Sequence, residues 1–524
     1  METRARGARL AWSTAIFSLA TGLSRILGLV REMVAAYFFG ARGAINAFTV
    51  AFQIPNLIRA IVADAALSSA FVPVFTELQE KGERARAWRV ASSLIWLLLL
   101  GLSALTALFV LLAPSIIPIF DLPAEHEELA VRLSQLLFPI IVLLGISGIV
   151  VGILNSYEHF TVPALTPVFW NLAIVVGLVI GVPRAGSEES ELYVYAGAIL
   201  VGTLIQLLLP VPWLAGRDGR LRVVVDWRDP AVRRVFALML PVSLGLGLIN
   251  FNAVVATFFA ARYIDPEIAP TAIDKAFRVY MLPQGMFSVA VATVLFPLLA
   301  RLAARAELDD FRHTLSLGLR QIAFLLIPAS VVTAVLAHPI VRLLYERGDF
   351  EPDQTPVVAN ALAAFSLGLA FNGAMLMLNR AFFSLQAPWT PTVLALGNLA
   401  LNTALNFALY RVGTWGLPLA TSLANIAGTA ALLVVLRRRL GRLELGETAA
   451  SATRIAAASL LLAGASYLVW RGLDEALGRS LPAQLVSLGL GLAAGLAAYV
   501  ISCRLLRVRE LEALLTLRSR FRRA

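Results

Sequence analysis

The feature that most constrains this chain is a series of long apolar segments, each about as long as the hydrocarbon core of a bilayer is thick. With 59% hydrophobic and only 15% charged residues, the composition lies outside the range of soluble globular proteins. The sequence therefore predicts an all-α polytopic membrane protein with fourteen transmembrane helices. The predicted spans are residues 10–39, 46–76, 90–113, 130–154, 164–182, 192–214, 235–261, 272–300, 314–337, 357–385, 390–410, 416–436, 452–470 and 482–506.

The distribution of basic residues predicts the orientation in the membrane. Cytoplasmic loops of membrane proteins carry an excess of Lys and Arg. With the N-terminus in the cytoplasm, 28 of the 44 basic residues fall in inside segments and 8 in outside loops, which predicts that both termini are cytoplasmic. Because these residues lie between apolar segments and not in a separate basic domain, the net charge of +11 does not predict nucleic-acid binding.

An internal repeat divides the first twelve spans into two halves. A Leu-Asn pair at 154–155 and a Thr-Pro pair at 166–167 recur at 378–379 and 390–391, each 224 residues later. Since each half has an even number of spans, the halves are expected to be parallel, with a substrate site between them. The predicted domains are residues 1–216 (spans 1–6), 217–440 (spans 7–12), and 441–524 (spans 13 and 14 with a basic tail).

Arginines lie inside the apolar spans. Arg25, Arg31 and Arg59 belong to the first two spans, where a charge costs at least about 2.5 kcal/mol on insertion scales. Arg278 lies in the eighth span, with Asp274 one helical turn before it as a pairing partner. This positive set suits a pyrophosphate or another polyanion, because a guanidinium binds two phosphate oxygens at once.

Each of these charges also has a structural interpretation. A long basic side chain near a helix end extends its charged group to the membrane surface, and one deeper in the span pairs with a carboxylate. Glu32 and Asp64 are carboxylates in the same spans, and the residues alone leave open whether they neutralise arginines or contact a substrate. Lys275 and Arg380 lie near span ends and are predicted to be interfacial.

The usual signatures of enzymes are missing from the sequence. There is no GxxxxGK[ST] phosphate loop, which argues against direct ATP hydrolysis. The four histidines have no metal-ligand spacing, and the single cysteine, Cys503, excludes an intramolecular disulfide. The sequence therefore predicts that the protein is not an enzyme and needs no cofactor.

Three segments resemble a known family. SRILGLVRE at 24–32 and NAFTVAFQIPNLIRAIVADAALSSAFVPVF at 46–75 resemble the first two helices of the MurJ (MviN) lipid II flippases, within the multidrug/oligosaccharidyl-lipid/polysaccharide exporter superfamily. FRVYMLPQGMFSVAVATVLFPLL at 277–299 resembles the eighth helix of that family. The resemblance covers essentially the whole chain. It implies two parallel six-helix lobes followed by two helices that form a groove for a lipid tail.

The function implied by this resemblance is alternating-access transport of lipid II, undecaprenyl-pyrophosphoryl disaccharide-pentapeptide, across the bacterial inner membrane for peptidoglycan synthesis. The implied partners are lipid II, the bilayer and cell-wall synthases, and the complete repeat in one chain favours a functional monomer. Alternatives are a flippase for another undecaprenyl-linked oligosaccharide, a cation-coupled drug exporter, a scaffold that has lost transport, and a membrane glycosyltransferase or polymerase acting on the same lipid. Cavity arginines argue against the drug exporter, and short outer loops argue against the enzyme.

The resemblance also implies the site residues. Those that match the substrate site of the family are Ser24, Arg25, Arg31, Glu32, Asn46, Arg59, Asp64 and Arg278. Asn46 stands where the family usually has an aspartate. A candidate cation site, at positions where some members bind sodium with aspartates, consists of Asn252, Asn402, Asn406 and Thr421. Because none of these four is a carboxylate, we expect weak binding of a monovalent cation, with the membrane potential as the driving force.

Overall fold

The computed structural model describes residues 2–62, 65–387, 389–441 and 443–511, and the regular elements in these ranges are all helical. Packing divides the chain into two compact units, Met1–Thr271 and Ala272–Ala524. The lobe boundary after residue 216 and the separate C-terminal domain rest on the sequence repeat and stay predictions.

The first unit contains helices α1 to α9, whose core includes a stack of aromatic rings. Phe48 of α2 lies between Phe52 of the same helix and Tyr195 of α8, and its ring centroid is 4.4 Å from that of Tyr195. Phe39, the last residue of α1, stacks on the same tyrosine at 5.5 Å. The helices are α1 (Glu2–Phe39), α2 (Ile45–Val62), α3 (Ala65–Glu80), α4 (Arg84–Ile116), α5 (Ala124–Leu137), α6 (Ile140–Ser156), α7 (Thr161–Gly181), α8 (Glu188–Leu208) and α9 (Pro230–Phe259).

The second unit begins within the first turn of helix α10. Its last two helices pack against each other and against α12, where Phe324 and Tyr499 have ring centroids 5.6 Å apart. The helices are α10 (Ala269–Pro283), α11 (Val289–Ala304), α12 (Leu308–Val335), α13 (Ala337–Tyr345), α14 (Gln354–Ser366), α15 (Leu369–Ser384), α16 (Trp389–Leu409), α17 (Gly416–Leu440), α18 (Leu445–Leu477) and α19 (Leu481–Leu505).

The helix bounds agree with the predicted repeat. Helices α10, α11 and α12 begin 224 residues after α2, α3 and α4 respectively. This is the displacement at which the Leu-Asn and Thr-Pro pairs recur. The repeat therefore extends from two short sequence matches to three consecutive structural elements.

The all-helical membrane character is confirmed by length and hydropathy. Among the described residues, ten helical segments are long and apolar enough to cross a membrane, and an eleventh is added if the bent α14–α15 pair is one span. The finer prediction of fourteen spans is not decided by this test, because α1, α2, α3 and α9 do not enter its count.

Besides the predicted spans 46–76 and 272–300, which correspond to α2–α3 and α10–α11, two more predicted spans are each divided between two helices. In the predicted span 130–154, α5 ends at Leu137 and α6 begins after Pro139, since proline has no N–H to continue the helix. The predicted span 357–385 bends by 44° between α14 and α15. At this bend a Cβ on Gly368 would lie 2.7 Å from the Cα of Ser422, so only glycine fits. Helix α13 was not predicted, because nine residues fall below the length of a span.

A segment without regular secondary structure, residues 215–229, follows α8 and lies on the beginning of α4. Its backbone N–H groups at Arg222 and Asp226 donate to the hydroxyls of Ser92 (3.0 Å) and Ser93 (3.2 Å). Gly219 in this segment contacts Trp88 so closely that a Cβ would be 2.2 Å from the indole Cδ1. This contact requires glycine.

Replacing Gly219 by alanine is therefore expected to destabilise the protein by about 1–3 kcal/mol, the usual cost of overpacking. Trp88 cannot easily yield, because it is 3% exposed and its Nε1 donates to the Tyr157 hydroxyl at 3.3 Å. The measurement is the unfolding temperature of the purified protein in detergent. Gly197→Ala is the matched control, since nothing lies within 4 Å of its Cβ position. Equal unfolding temperatures for the two variants would contradict the close contact.

Candidate anion-binding site

Helix α1 packs on α7 through an asparagine amide. Asn171 of α7 donates from Nδ2 to the backbone oxygen of Ser24 (3.3 Å) and to that of Pro167 in its own helix (2.9 Å). Gly28 faces the same amide, since a Cβ there would lie 3.8 Å from Asn171 Oδ1. Ser24 and Gly28 therefore line the contact between α1 and α7.

Arg31 is buried and paired. Its Nη2 lies 2.5 Å from Glu32 Oε1, and its guanidinium carbon lies 4.7 Å from the centroid of the Trp170 ring. Only 10% of the side chain is exposed. Trp170 is itself held by a hydrogen bond from Nε1 to the Thr203 hydroxyl at 3.1 Å. For Arg31 the structural interpretation applies, because Glu32 offsets its charge and Trp170 fixes its position.

Arg25 differs from Arg31 in having no such partner. Its side chain is half-buried and forms no hydrogen bond or ion pair with any residue whose side chain the structure describes. Glu32 is two helical turns away, about 10 Å along the axis, beyond ion-pair distance along a straight helix. A guanidinium in this position needs water or an anion to compensate its charge.

Arg59, on α2, is oriented by an amide. Asn56 Oδ1 accepts from Arg59 Nε at 3.1 Å and from Nη2 at 2.9 Å. This contact sets the direction of the guanidinium, and Arg59 has a further interaction besides it. The end of α2 is fixed by α9, where the Ser243 hydroxyl donates to the backbone oxygen of Ile61 at 2.5 Å. The other acidic residue predicted in this region, Asp64, lies outside the described residues.

The buried side chain of Asn46 forms hydrogen bonds with two backbone segments, residues 41–43 and 267–271. Its Nδ2 donates to the carbonyl of Ala41 at 3.1 Å, of Gly43 at 3.2 Å and of Glu267 at 2.5 Å. Its Oδ1 accepts from the N–H of Thr271 at 2.9 Å, in the first turn of α10. The residue is 1% exposed, so both ends of its amide are used by the backbone. The structure thus gives Asn46 a structural role, and a role in substrate binding stays a prediction.

Arg278 lies in the second unit and has the partner that the sequence indicated. Its Nε is 2.7 Å from Asp274 Oδ2, and about a third of the side chain is exposed. The neighbouring Lys275 was predicted to be interfacial, and this was wrong. It is 3% exposed, and its Nζ lies 5.3 Å from the ring centroid of Tyr345. Tyr345 belongs to α13, the helix that the sequence did not reveal.

Part of the candidate cation site is brought together in the second unit. Asn402 Nδ2 donates to the Thr421 hydroxyl at 3.3 Å, across the contact between α16 and α17. Within the described part of the chain, Asn402 Oδ1 and both amide atoms of Asn406 are buried without hydrogen-bond partners. Asn252 belongs to the first unit, where its Oδ1 is buried without a described partner. These neutral oxygens suit a weakly bound cation better than a tightly bound one.

Comparison with known proteins identifies the family. The family described as "Lipid II flippase MurJ" matches residues 35–481, which is most of the chain. The chain belongs to this MurJ family. Arg59, Arg278 and Asn46 lie inside the matched region, and Arg25 and Arg31 precede it by a few residues.

Individual MurJ relatives support the same assignment. A protein of Vibrio cholerae named "Probable lipid II flippase MurJ" is 32% identical over 439 residues, 81% of this chain and 82% of the relative. "Lipid II flippase MurJ" of Burkholderia cenocepacia is 29% identical over 432 residues, 80% of this chain and 82% of the relative.

Solved structures agree with the MurJ assignment. A lipid II flippase MurJ in an inward closed conformation superposes with a TM-score of 0.76 at 25% identity, over 94% of this chain and 99% of that one. An inward-facing multidrug transporter of the MATE family matches with a TM-score of 0.68 at 16% identity, over 80% of this chain and 95% of that one. The second likeness shows a shared fold only.

The contacts that position these MurJ-family residues were mostly missed from the sequence. Asn171 and Trp170 of α7 contact the Ser24 and Arg31 positions of α1, and Asn56 orients Arg59. The available signal was a polar Trp-Asn pair inside the apolar run 164–182. It did not indicate which helix the pair would face.

Asn46 provides a direct test of the backbone connection. Asn46→Ala removes all four hydrogen bonds, and Asn46→Asp keeps the acceptor for Thr271 but turns a carboxylate oxygen toward three carbonyls. Leaving buried polar groups unpaired costs about 1–3 kcal/mol, so both variants should unfold at a lower temperature. Asn398→Ala is the control, because that amide oxygen has no described partner. If all three variants unfold like the parent protein, the connection at Asn46 does not contribute to stability.

Proposed function

We propose that this chain is a lipid II flippase that moves undecaprenyl-pyrophosphoryl disaccharide-pentapeptide from the inner to the outer leaflet of the bacterial cytoplasmic membrane. Membership of the MurJ family supports the proposal. The structural observation that carries it is Arg25, a cation within a membrane helix that has no described partner. A pyrophosphate supplies the missing counter-charge and matches the two-pronged geometry of a guanidinium.

The arginines have different roles in this proposal. Arg25 binds the pyrophosphate directly, because no described side chain competes for it. Arg59 presents its guanidinium in the direction set by Asn56. Arg278 also binds the pyrophosphate, and its ion pair with Asp274 weakens when it does so. Residues that shape the site without carrying its charge are Ser24, the Arg31–Glu32 pair, Asn46 and Asp64.

The proposed topology has fourteen spans in two parallel six-helix lobes, followed by α18 and α19. Eleven spans have support from length and hydropathy, counting α14 and α15 as one. Adding α1, the α2–α3 pair and α9 brings the number to fourteen. The basic inside loops favour cytoplasmic termini, and the full repeat in one chain favours a functional monomer. Cell-wall synthases, which consume lipid II in the outer leaflet, are the proposed downstream partners.

The proposed transport cycle is alternating access driven mainly by the membrane potential. When the inside of the cell is negative, outward movement of the anionic head group is energetically favourable. The free energy gained is about 2.3 kcal/mol per elementary charge per 100 mV. The return of the empty cationic site toward the inside is also downhill. A monovalent cation at Asn402, Asn406 and Thr421 is at most an auxiliary, because these side chains are neutral.

The arginine proposal is tested by flipping of labelled lipid II in proteoliposomes. Arg25→Ala should slow flipping about 10- to 100-fold, which corresponds to the loss of a charge-assisted contact. Arg25→Lys should be intermediate, because it keeps the charge but loses the two-pronged geometry. Arg59→Ala and Arg278→Ala should each reduce the rate, with Arg278→Ala the milder because Asp274 already shares its charge.

Arg411→Ala is the control, since Arg411 is exposed and contacts only Tyr410 among the described side chains. Its flipping rate should equal that of the parent protein. Full activity of the Arg25, Arg59 and Arg278 alanine variants would sink the pyrophosphate site. Flipping of a different undecaprenyl-linked oligosaccharide, but not of lipid II, would show that the protein is a flippase for that other substrate.

The driving force is tested in the same vesicles. An imposed inside-negative potassium diffusion potential should accelerate flipping severalfold, since 100 mV is worth about 2.3 kcal/mol per charge. Replacing sodium by choline should leave the rate of the parent protein nearly unchanged. Asn406→Asp restores a carboxylate beside Asn402 and should make flipping more dependent on sodium. Strict sodium dependence of flipping by the unmodified protein would contradict this, because it would show that sodium binding at the neutral site is tightly coupled to transport.

A further inference from the structure

The 215–229 segment presents an apolar edge away from the protein. Every second residue from 221 to 227 is an exposed apolar side chain: Leu221, Val223, Val225 and Trp227. Val223 is 77% exposed and Trp227 is 57% exposed. Exposed apolar rows of this kind mark an interaction surface.

The position of this edge is set by α4, which is a candidate membrane span. The hydroxyls of Ser92 and Ser93 accept from the backbone of the segment, and Trp96 Nε1 donates to the carbonyl of Arg222 at 3.1 Å. One turn beyond Trp96 the helix exposes Leu100, as a lipid-facing span does. The apolar edge therefore lies beside the first turns of a span, at the depth of a membrane interface, where tryptophan is enriched.

Free positive charge surrounds the apolar edge. The guanidinium groups of Arg228 and Arg233 lie 5.3 Å and 5.4 Å from the ring of Trp227. Between residues 220 and 233, the arginines that form no ion pair with any described carboxylate are Arg220, Arg222, Arg228 and Arg233. Two of these four, Arg228 and Arg233, lie against the tryptophan, and Arg220 and Arg222 belong to the same exposed segment.

Two of the nearby acidic groups pair with other arginines, and the third is hydrogen-bonded by the backbone of its own segment. Asp218 pairs with Arg84 at 3.0 Å, and Asp229 pairs with Arg86 at 3.2 Å. Burial acts to raise the pKa of Asp229, but hydrogen bonds from Arg86 and from the N–H of Ala231 outweigh it and keep that pKa below its usual value. Asp226 accepts from the backbone N–H groups of residues 228 and 229. Asp218 and Asp229 thus pair with α4, and the single remaining carboxylate, Asp226, offsets only part of the charge of the four exposed arginines.

We propose that residues 220–228, with Arg233, form a binding surface for anionic phospholipid head groups, such as phosphatidylglycerol, in the leaflet that the segment contacts. The apolar edge inserts among the upper acyl chains, and the four arginines bind the phosphates. Each basic residue near an anionic membrane surface adds to this attraction, and the charges act together over the segment. The surface holds the α8–α9 connection against the membrane. This proposal is independent of lipid II, since none of its residues belongs to the candidate substrate site.

The test uses the full-length protein in nanodiscs and quenching of tryptophan fluorescence by brominated lipids. The contribution of Trp227 is obtained as the difference between the parent protein and Trp227→Phe. At equal mole fraction, brominated phosphatidylglycerol should quench this contribution about fivefold more effectively than brominated phosphatidylcholine, the preference expected from one basic residue near the surface. High salt should reduce the preference.

Two triple variants with the same change in net charge separate local binding from general attraction. R220Q/R222Q/R228Q should lose the preference for phosphatidylglycerol at Trp227. R437Q/R438Q/R439Q, in the exposed last turn of α17, should keep it. Equal quenching by the two lipids in the parent protein would overturn the proposal, and so would a preference that survives the first triple variant. The absence of quenching by either lipid would also overturn the proposal, because the apolar edge would then face a protein or water. The flipping assay remains a separate measurement, so failure here leaves the transport proposal standing.

Discussion

The structure depends on one physical constraint, the cost of placing an arginine in the low-dielectric part of a membrane. Each embedded guanidinium meets this cost in a different way. Arg31 is neutralised by Glu32 and packed on Trp170, and Arg278 shares its charge with Asp274. Arg59 is oriented by the Asn56 amide and has a further interaction, whereas Arg25 has no described partner. This difference between Arg25 and the other three arginines, more than their number, is the reason we propose Arg25 as the residue that binds the anion.

Two groups of buried asparagines use their neutral amides in different ways. At Asn46 the amide both donates and accepts, and it connects the backbone at 41–43 with that at 267–271. At Asn402 and Asn406 the amide oxygens stay without described partners. The same type of side chain therefore makes a satisfied structural contact in the first unit and belongs to a weak candidate cation site in the second.

The membrane-facing surface follows the same electrostatic rule as the candidate site. In the 215–229 segment, two carboxylates pair with arginines of α4, and Arg228 and Arg233, which have no described ion pair, lie against the exposed Trp227. The candidate substrate site likewise leaves Arg25 available while Glu32 engages Arg31. In both places the cations that are not paired within the protein are those available to lipid phosphates.

The sequence by itself determined the all-helical membrane class, the 224-residue repeat, the family and the identity of the embedded arginines, because hydropathy, periodicity and charge are local properties of the chain. It also indicated the Arg278–Asp274 pair, which is one helical turn long. Only the tertiary structure decided that Arg31 is packed on Trp170, that Asn46 caps α10 and that Lys275 is buried against Tyr345. These outcomes depend on contacts between residues that are far apart in the sequence. The spacing of residues along the chain does not encode such contacts.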